Sequence, residues 1–167
     1  MLVICNKYNE IDIESLFRIY LESIRQKGKI NFPNESEYMQ KVLAEEDEIS
    51  YLRSMFSEYN ATLALWEVES VCEAALRLEK YEDGFLITAL ETAPAMRGRG
   101  YAKALVESVV TWLGNRKPVK LYAHIEKGNR ASISVHSYCG FEKIKDYATF
   151  LDGSVSHKYF TYGLEIK

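Results

Sequence analysis

Apolar residues recur along this chain with two periods. From residue 11 to 27 they fall at Ile13, Leu16, Phe17, Tyr20 and Ile24, the spacing of one helix face, and Gly28 is expected to close that helix. Asn34 is placed to cap a second helix, with Tyr38, Val42 and Leu43 on its buried side. The acidic stretch 45–48 reads as a break or solvated turn, and 51–59 as a further helical piece. A short strand over residues 2–5 precedes these helices. After them the period drops to that of strands over 61–68, 71–81 and 85–92, separated by Glu69-Ser70 and by Glu82-Asp83-Gly84, both suited to hairpins. Residues 102–115 return to helical spacing. Pro118 precedes a strand at 119–125, Asn129 opens a helix that Gly140 ends, and strands near 141–148 and 157–166 flank an Asp152-Gly153 turn.

This order predicts an α/β (α+β) fold with a mixed, mostly antiparallel central sheet of about seven strands flanked by about four helices. Its parts are an antiparallel meander, a right-handed strand–helix–strand crossover and a closing hairpin. No linker, repeat or low-complexity tract interrupts it, so residues 1–167 are expected to form a single domain.

Composition narrows the function. Of 167 residues 47% are hydrophobic, enough for a sizeable core, and the net charge is −3 with a pI near 5.7. That balance argues against a nucleic-acid-binding role, which shows as a basic domain. Positive charge is local instead, at Arg97, Arg99 and Lys103, then Arg116, Lys117 and Lys120. Cys5, Cys72 and Cys139 are odd in number and widely spaced, which gives neither a disulfide framework nor a metal knuckle. The start of the chain turns polar too soon for a signal peptide, and no apolar run reaches the length of a membrane span. A soluble cytoplasmic chain, monomer or homodimer, is expected, without metal or membrane partner.

The chemistry concentrates in Leu90-Glu91-Thr92-Ala93-Pro94-Ala95-Met96-Arg97-Gly98-Arg99-Gly100-Tyr101-Ala102. A strand ends at a proline, a basic glycine-bearing turn follows, and a helix begins. Gly98 and Gly100 remove side chains where the helix has free N–H groups, and the helix dipole with Arg97 and Arg99 favours an anion such as a pyrophosphate. A dinucleotide loop would need glycine where Lys103 stands and an acid about 20 residues on, which is missing. A Walker-type loop would need Gly-Lys-Ser/Thr, which is also missing. An ordinary turn bearing surface arginines stands beside these readings.

The hexapeptide Arg97-Gly98-Arg99-Gly100-Tyr101-Ala102 resembles the acyl-CoA loop of the GNAT superfamily of N-acetyltransferases, Gln/Arg-x-x-Gly-x-Gly/Ala. A second stretch, Asn129, Ser132, His136, Gly140 and Phe141, is similar to that family's Asn, Ala/Ser, Tyr, Gly, Phe spacing. The resemblance is strongest over residues 85–141. It implies acetyl-CoA as cosubstrate, an amine on a small molecule or protein as acceptor, and direct transfer in a ternary complex. The strand at 85–92 is expected to splay from that at 119–125. Pantetheine would lie along Leu90 and Thr92, the pyrophosphate on the amides of Gly98, Arg99, Gly100, Tyr101 and Ala102, with Arg97 and Arg99 adding charge. Asn129, Ser132 and His136 would also meet the cofactor.

The chain departs from the family where tyrosine is the usual acid, since His136 stands there. At about 100° per residue, Asn129, Ser132 and His136 share a helix face that Tyr138 does not. His136 can give a proton to the departing thiolate, because imidazole titrates near neutrality, or can simply fill space beside the cofactor. Glu91 is the candidate base, with Glu73 and Glu79 as weaker ones. His124 and His157 read as structural. Tyr20, Tyr38, Tyr51, Tyr159 and Tyr162 are open to either an acceptor pocket or packing on the sheet. Cys139 abuts a helix end and lacks the context of a nucleophile. The alternative is a non-catalytic acyl-CoA-binding sensor or partner-binding domain, supported by the missing tyrosine.

Overall fold

The computed structural model describes residues 1–115 and 118–167, so the basic pair Arg116 and Lys117 lies outside the described residues. Nine strands are described, namely β1 (Leu2–Cys5), β2 (Thr62–Val68), β3 (Val71–Tyr81), β4 (Gly84–Thr92), β5 (Val119–Glu126), β6 (Glu142–Lys145), β7 (Ala148–Thr149), β8 (Val155–Ser156) and β9 (Tyr159–Ile166). The helices are α1 (Ile13–Ile19), α2 (Leu21–Asn31), α3 (Glu37–Glu58), α4 (Tyr101–Gly114) and α5 (Arg130–Tyr138). Seven strands form one sheet in the order β1-β2-β3-β4-β5-β9-β6, and β7 and β8 pair separately. In the large sheet only β4 and β5 run parallel, as a helical crossover between them requires.

Strand alternation sorts the core into two layers. Ala74, Leu76 and Leu78 of β3 meet Leu105, Val106 and Val109 of α4 on one face. Ala75 of β3 and Leu63 and Leu65 of β2 meet Leu16, Ile19, Leu52 and Met55 from α1 and α3 on the other. Each fully buried aliphatic side chain contributes about 1.5–3 kcal/mol relative to exposure. No described helix is long and apolar enough to cross a membrane.

The N-terminal helices differ from the periodicity reading in four ways. The first predicted helix is broken at Tyr20, whose buried hydroxyl donates 2.9 Å to the Ala89 carbonyl. Gly28 does not end α2, which runs on to Asn31. It is a packing glycine, because a Cβ there would lie 2.5 Å from the Gln40 carbonyl oxygen of α3. The acidic stretch 45–48 is helical, so α3 is one continuous helix. Glu45 pairs with Lys41 at 3.3 Å, and Glu48 reaches both Lys27 at 3.4 Å and Arg77 at 3.3 Å, so its acids have partners within and beyond the helix. Ser36, not Asn34, caps α3, accepting from the Met39 amide at 3.3 Å. Tyr38 then falls in an exposed first turn.

Candidate active site

The site begins with an irregularity in β4. Ala75 of β3 pairs with Glu91 but Arg77 pairs with Thr88, so β4 carries one extra residue. This is a β-bulge, and Ala89 within it takes φ 49°, a left-handed conformation that costs a non-glycine residue energy. Tyr20 holds the bulge from the α1–α2 break. On the other side, parallel pairing of β4 with β5 stops at Ile87 and Ala123. Beyond that point the two strands separate, and residues 88–92 keep no strand partner on their β5 side.

A slot of about 630 Å³ follows this gap and reaches the start of α4. Leu90, Glu91 and Thr92 form its strand wall, with Asn129 and Ser132 opposite. Arg97, Gly98, Gly100, Tyr101 and Ala102 close its far end. Gly98 and Gly100 have φ 77° and 81°, and a Cβ on either would meet no atom within 4 Å. The cradle is therefore open space next to the unpaired amides of a helix start, which fits an anionic phosphate group. Arg97 spends its charge differently from the sequence expectation, because its guanidinium lies 2.7 Å from the Glu22 carboxylate. Arg99 is exposed and is not among the residues that line the slot.

Asn129 has a structural task as well. Its side-chain oxygen caps α5, accepting from the Ser132 amide at 3.0 Å. That turns Asn129 and Ser132 to the slot. His136, one turn further on, is only 2% exposed and sets its ring edge-on to Phe141 at 5.1 Å. It borders a second recess of about 330 Å³ between the separated strands. Its Nδ1 lies 2.9 Å from the Ser132 carbonyl oxygen, which can only accept, so Nδ1 carries the proton. Burial lowers the imidazole's pKa, which keeps the ring neutral. Nε2 is then a lone pair, and it is buried without a partner. With Nδ1–H on the Ser132 carbonyl, Nε2 is the position that takes up a proton, so His136 can give one to a thiolate only after gaining one. Tyr138 is 63% exposed and carries the Lys103 ammonium 3.2 Å from its ring centroid. It lies outside the site, on the exposed surface of α5.

Glu91 is where the spaces meet. It borders the slot, the recess and a third cavity of about 100 Å³ under α2. Burial pushes its pKa above the ordinary glutamate value, against the lowering effects of a hydrogen bond from Ser23 and of nearby Arg97. Glu73 and Glu79 are committed elsewhere, Glu73 to Arg18 at 3.2 Å and Glu79 to the Thr88 hydroxyl at 2.9 Å. The motif residues leave out Ser23, Ala131 and Val135, which also line the slot, and Arg77 and Glu48, which line the third cavity. The Asn129 motif predicted the face that holds Ala131 and Val135. Nothing local marks Ser23, which arrives through the packing of α2 on β4. Of the five tyrosines, Tyr20 lines the third cavity and Tyr159 the recess. Tyr162 is core, Tyr38 is exposed, and Tyr51 lies under the Arg77 guanidinium, 4.7 Å from its ring centroid. Burial pushes the Cys139 thiol up to about 11, which leaves it protonated. Among the described residues no group of three or more His, Cys, Asp or Glu is arranged to hold a metal ion.

Comparison with known proteins agrees with this geometry. The model of the acetyltransferase (GNAT) family matches residues 18–141. No protein of curated function matches the chain in sequence. Among solved structures, the chain is similar to the ribosomal-protein-S18-alanine N-acetyltransferase from Escherichia coli, with TM-score 0.60 and 16% identity over 100% of this chain and 95% of that one. It is similar to the PaiA N-acetyltransferase from Thermoplasma acidophilum in complex with coenzyme A, with TM-score 0.62 and 13% identity over 99% of both chains. It is also similar to the Campylobacter jejuni N-acetyltransferase PseH in complex with acetyl coenzyme A, with TM-score 0.65 and 10% identity over 100% of both. At these identities the structures speak to the fold, while the family model spans most of the sequence. The chain belongs to the GNAT acetyltransferase family.

Proposed function

We propose that this chain transfers an acetyl group from acetyl-CoA to a primary amine by direct attack, with both substrates bound. The observation that carries the reading is the position of Glu91, a partly buried carboxylate that borders the slot and two further cavities. The amides from Gly98 to Ala102 hold the pyrophosphate, and the slot wall at Leu90 and Thr92 holds pantetheine. An alkylammonium must lose a proton before it can attack a thioester. Glu91 takes that proton. The amine's lone pair then forms the C–N bond, and backbone N–H groups at the end of β4 steady the charge that develops on the carbonyl oxygen. The C–S bond breaks with its electron pair on sulfur. His136 Nε2 accepts the remaining excess proton from nitrogen and returns it to sulfur. Access to Nε2 requires β4 and β5 to part further as pantetheine enters.

Glu91→Gln tests this account with acetyl-CoA and an accepted amine. It is expected to lower kcat by about 10²- to 10⁴-fold, the range of a lost proton-transfer group, while CoA affinity holds. A variant that turns over at the native rate would remove Glu91 from the chemistry. A second reading, an acyl-CoA-binding sensor without turnover, is supported by His136 in the usual tyrosine position with its free nitrogen closed off. CoA binding without transfer to any member of a broad amine panel would favour it.

A further inference from the structure

The recess beyond Glu91 has a wall of rings. In its lining His124 and Phe150 meet edge to face at 5.5 Å and Phe150 and Tyr159 at 5.6 Å, and Tyr81, outside the lining, backs His124 at 5.2 Å. Phe150 is held in this wall by its neighbours. The Tyr81 hydroxyl donates 2.8 Å to the Thr149 carbonyl, the Phe150 amide donates 2.8 Å to Ser154, and its carbonyl accepts from the Gly153 amide at 2.9 Å. Ile87 and Ile125 add apolar surface below.

Charge in the recess is sparse and of one sign. Glu91 and Glu126 border it and no lysine or arginine does, and Glu126 is exposed at the edge. Lys145, the cation felt by His124, is paired with Glu82 at 3.3 Å. One inner carboxylate matches one ammonium. A second ammonium would have to shed water beside Ile87, Ile125 and Phe150 without a counter-charge. Both ring nitrogens of His124 and Nε2 of His136 are buried in this lining without a partner. Unpaired polar atoms in residues that line a cavity call for an explanation, and a ligand that brings a polar group to this wall is one.

We propose that the acyl acceptor is a primary monoamine on a flat aromatic body, its ammonium at Glu91 and its ring against Phe150, His124 and Tyr159. A ring N–H or hydroxyl on that body meets the unpaired His124 nitrogens. The inference rests on the acetyl-transfer reading, and CoA calorimetry on the native chain separates the two. No CoA binding overturns the transfer reading itself. With the chain saturated in CoA, calorimetry with tryptamine, hexylamine and spermidine then tests the acceptor class. Tryptamine is expected to bind at least about 10-fold more tightly than either aliphatic amine, from ring contacts and buried area. Equal or tighter binding of hexylamine or spermidine, or no detectable tryptamine binding at millimolar concentration, overturns the proposal. Phe150→Leu keeps the apolar volume and loses the ring. It is expected to weaken tryptamine by about 5- to 10-fold and hexylamine by less than about 2-fold. Equal effects on the two amines overturn it as well.

Discussion

At the scale of single residues, Glu91 and His136 are both perturbed by burial, in ways that suit their proposed tasks. The Glu91 carboxyl titrates above its ordinary value, so it holds a proton more readily than a free glutamate. Activity is expected to rise with pH as this proton is lost, and the acidic limb of the kcat profile should disappear in Glu91→Gln. The stability sign is opposite. A carboxyl whose pKa is raised by folding adds stability that is complete below the ordinary value and is lost as pH rises through the raised one. Glu91→Gln should therefore melt above the native chain at pH 8 and close to it at pH 4. His136→Phe removes the proposed shuttle and is expected to lower kcat by about 10- to 1000-fold, with Tyr138→Phe near native. The reverse pattern would place the working side chain on the exposed face of α5. The Asn129–Phe141 spacing made the shared face of Asn129, Ser132 and His136 legible. It could not show which imidazole nitrogen holds the proton, because that depends on the Ser132 carbonyl lying 2.9 Å away.

At the scale of elements, the strands were more legible than the N-terminal helices. The 71–81 strand agrees with β3 at both ends, and those at 61–68, 85–92 and 119–125 agree with β2, β4 and β5 to within one residue, because burial imposes alternation along them, whereas the strand expected near 141–148 is two short pieces, β6 and β7, and β7 pairs with β8 outside the large sheet. Glycine and acidic residues misled in the helices. Gly28 carries the mark of a helix stop, yet it is inside α2 because the backbone of α3 passes against it. Gly28→Ala should force the two helices apart and cost about 1–3 kcal/mol, the range for overpacking, seen as a lowered midpoint in urea with little change in slope. An unchanged midpoint would mean that α2 and α3 give way easily at this contact. The bulge in β4 was not legible at all. Alanine at position 89 carries no signal for a positive φ, and the conformation is imposed by tertiary contacts, including the bond from Tyr20. That bulge, the stop in β4–β5 pairing and the Tyr20 break together shape the slot, so its form was largely hidden even though its motif residues were not.

At the scale of the whole molecule, the sheet serves as a frame for a gap. Seven strands are tied in one sheet that opens where β4 and β5 part, and the two helical layers supply the walls on either side, α4 and α5 on one face and α2 on the other. A ligand that binds only this folded arrangement stabilises it by mass action, about 2.7 kcal/mol at one hundred times its Kd. The central claim is that the slot holds CoA with its phosphates on the start of α4. Gly100→Glu addresses it directly, since a Cβ at Gly100 meets no atom within 4 Å and its carboxylate enters the cradle, while the backbone cost of a side chain at the left-handed φ of 81° is read from the melt. The measurement is a calorimetric titration of CoA into the native chain and into Gly100→Glu, with a thermal melt to show that both are folded. One CoA per chain is expected for the native protein, and an affinity lowered by at least about 10-fold, or 1.4 kcal/mol, in the variant. A folded Gly100→Glu chain that binds CoA as tightly as the native one, or a native chain that does not bind it, would contradict the account.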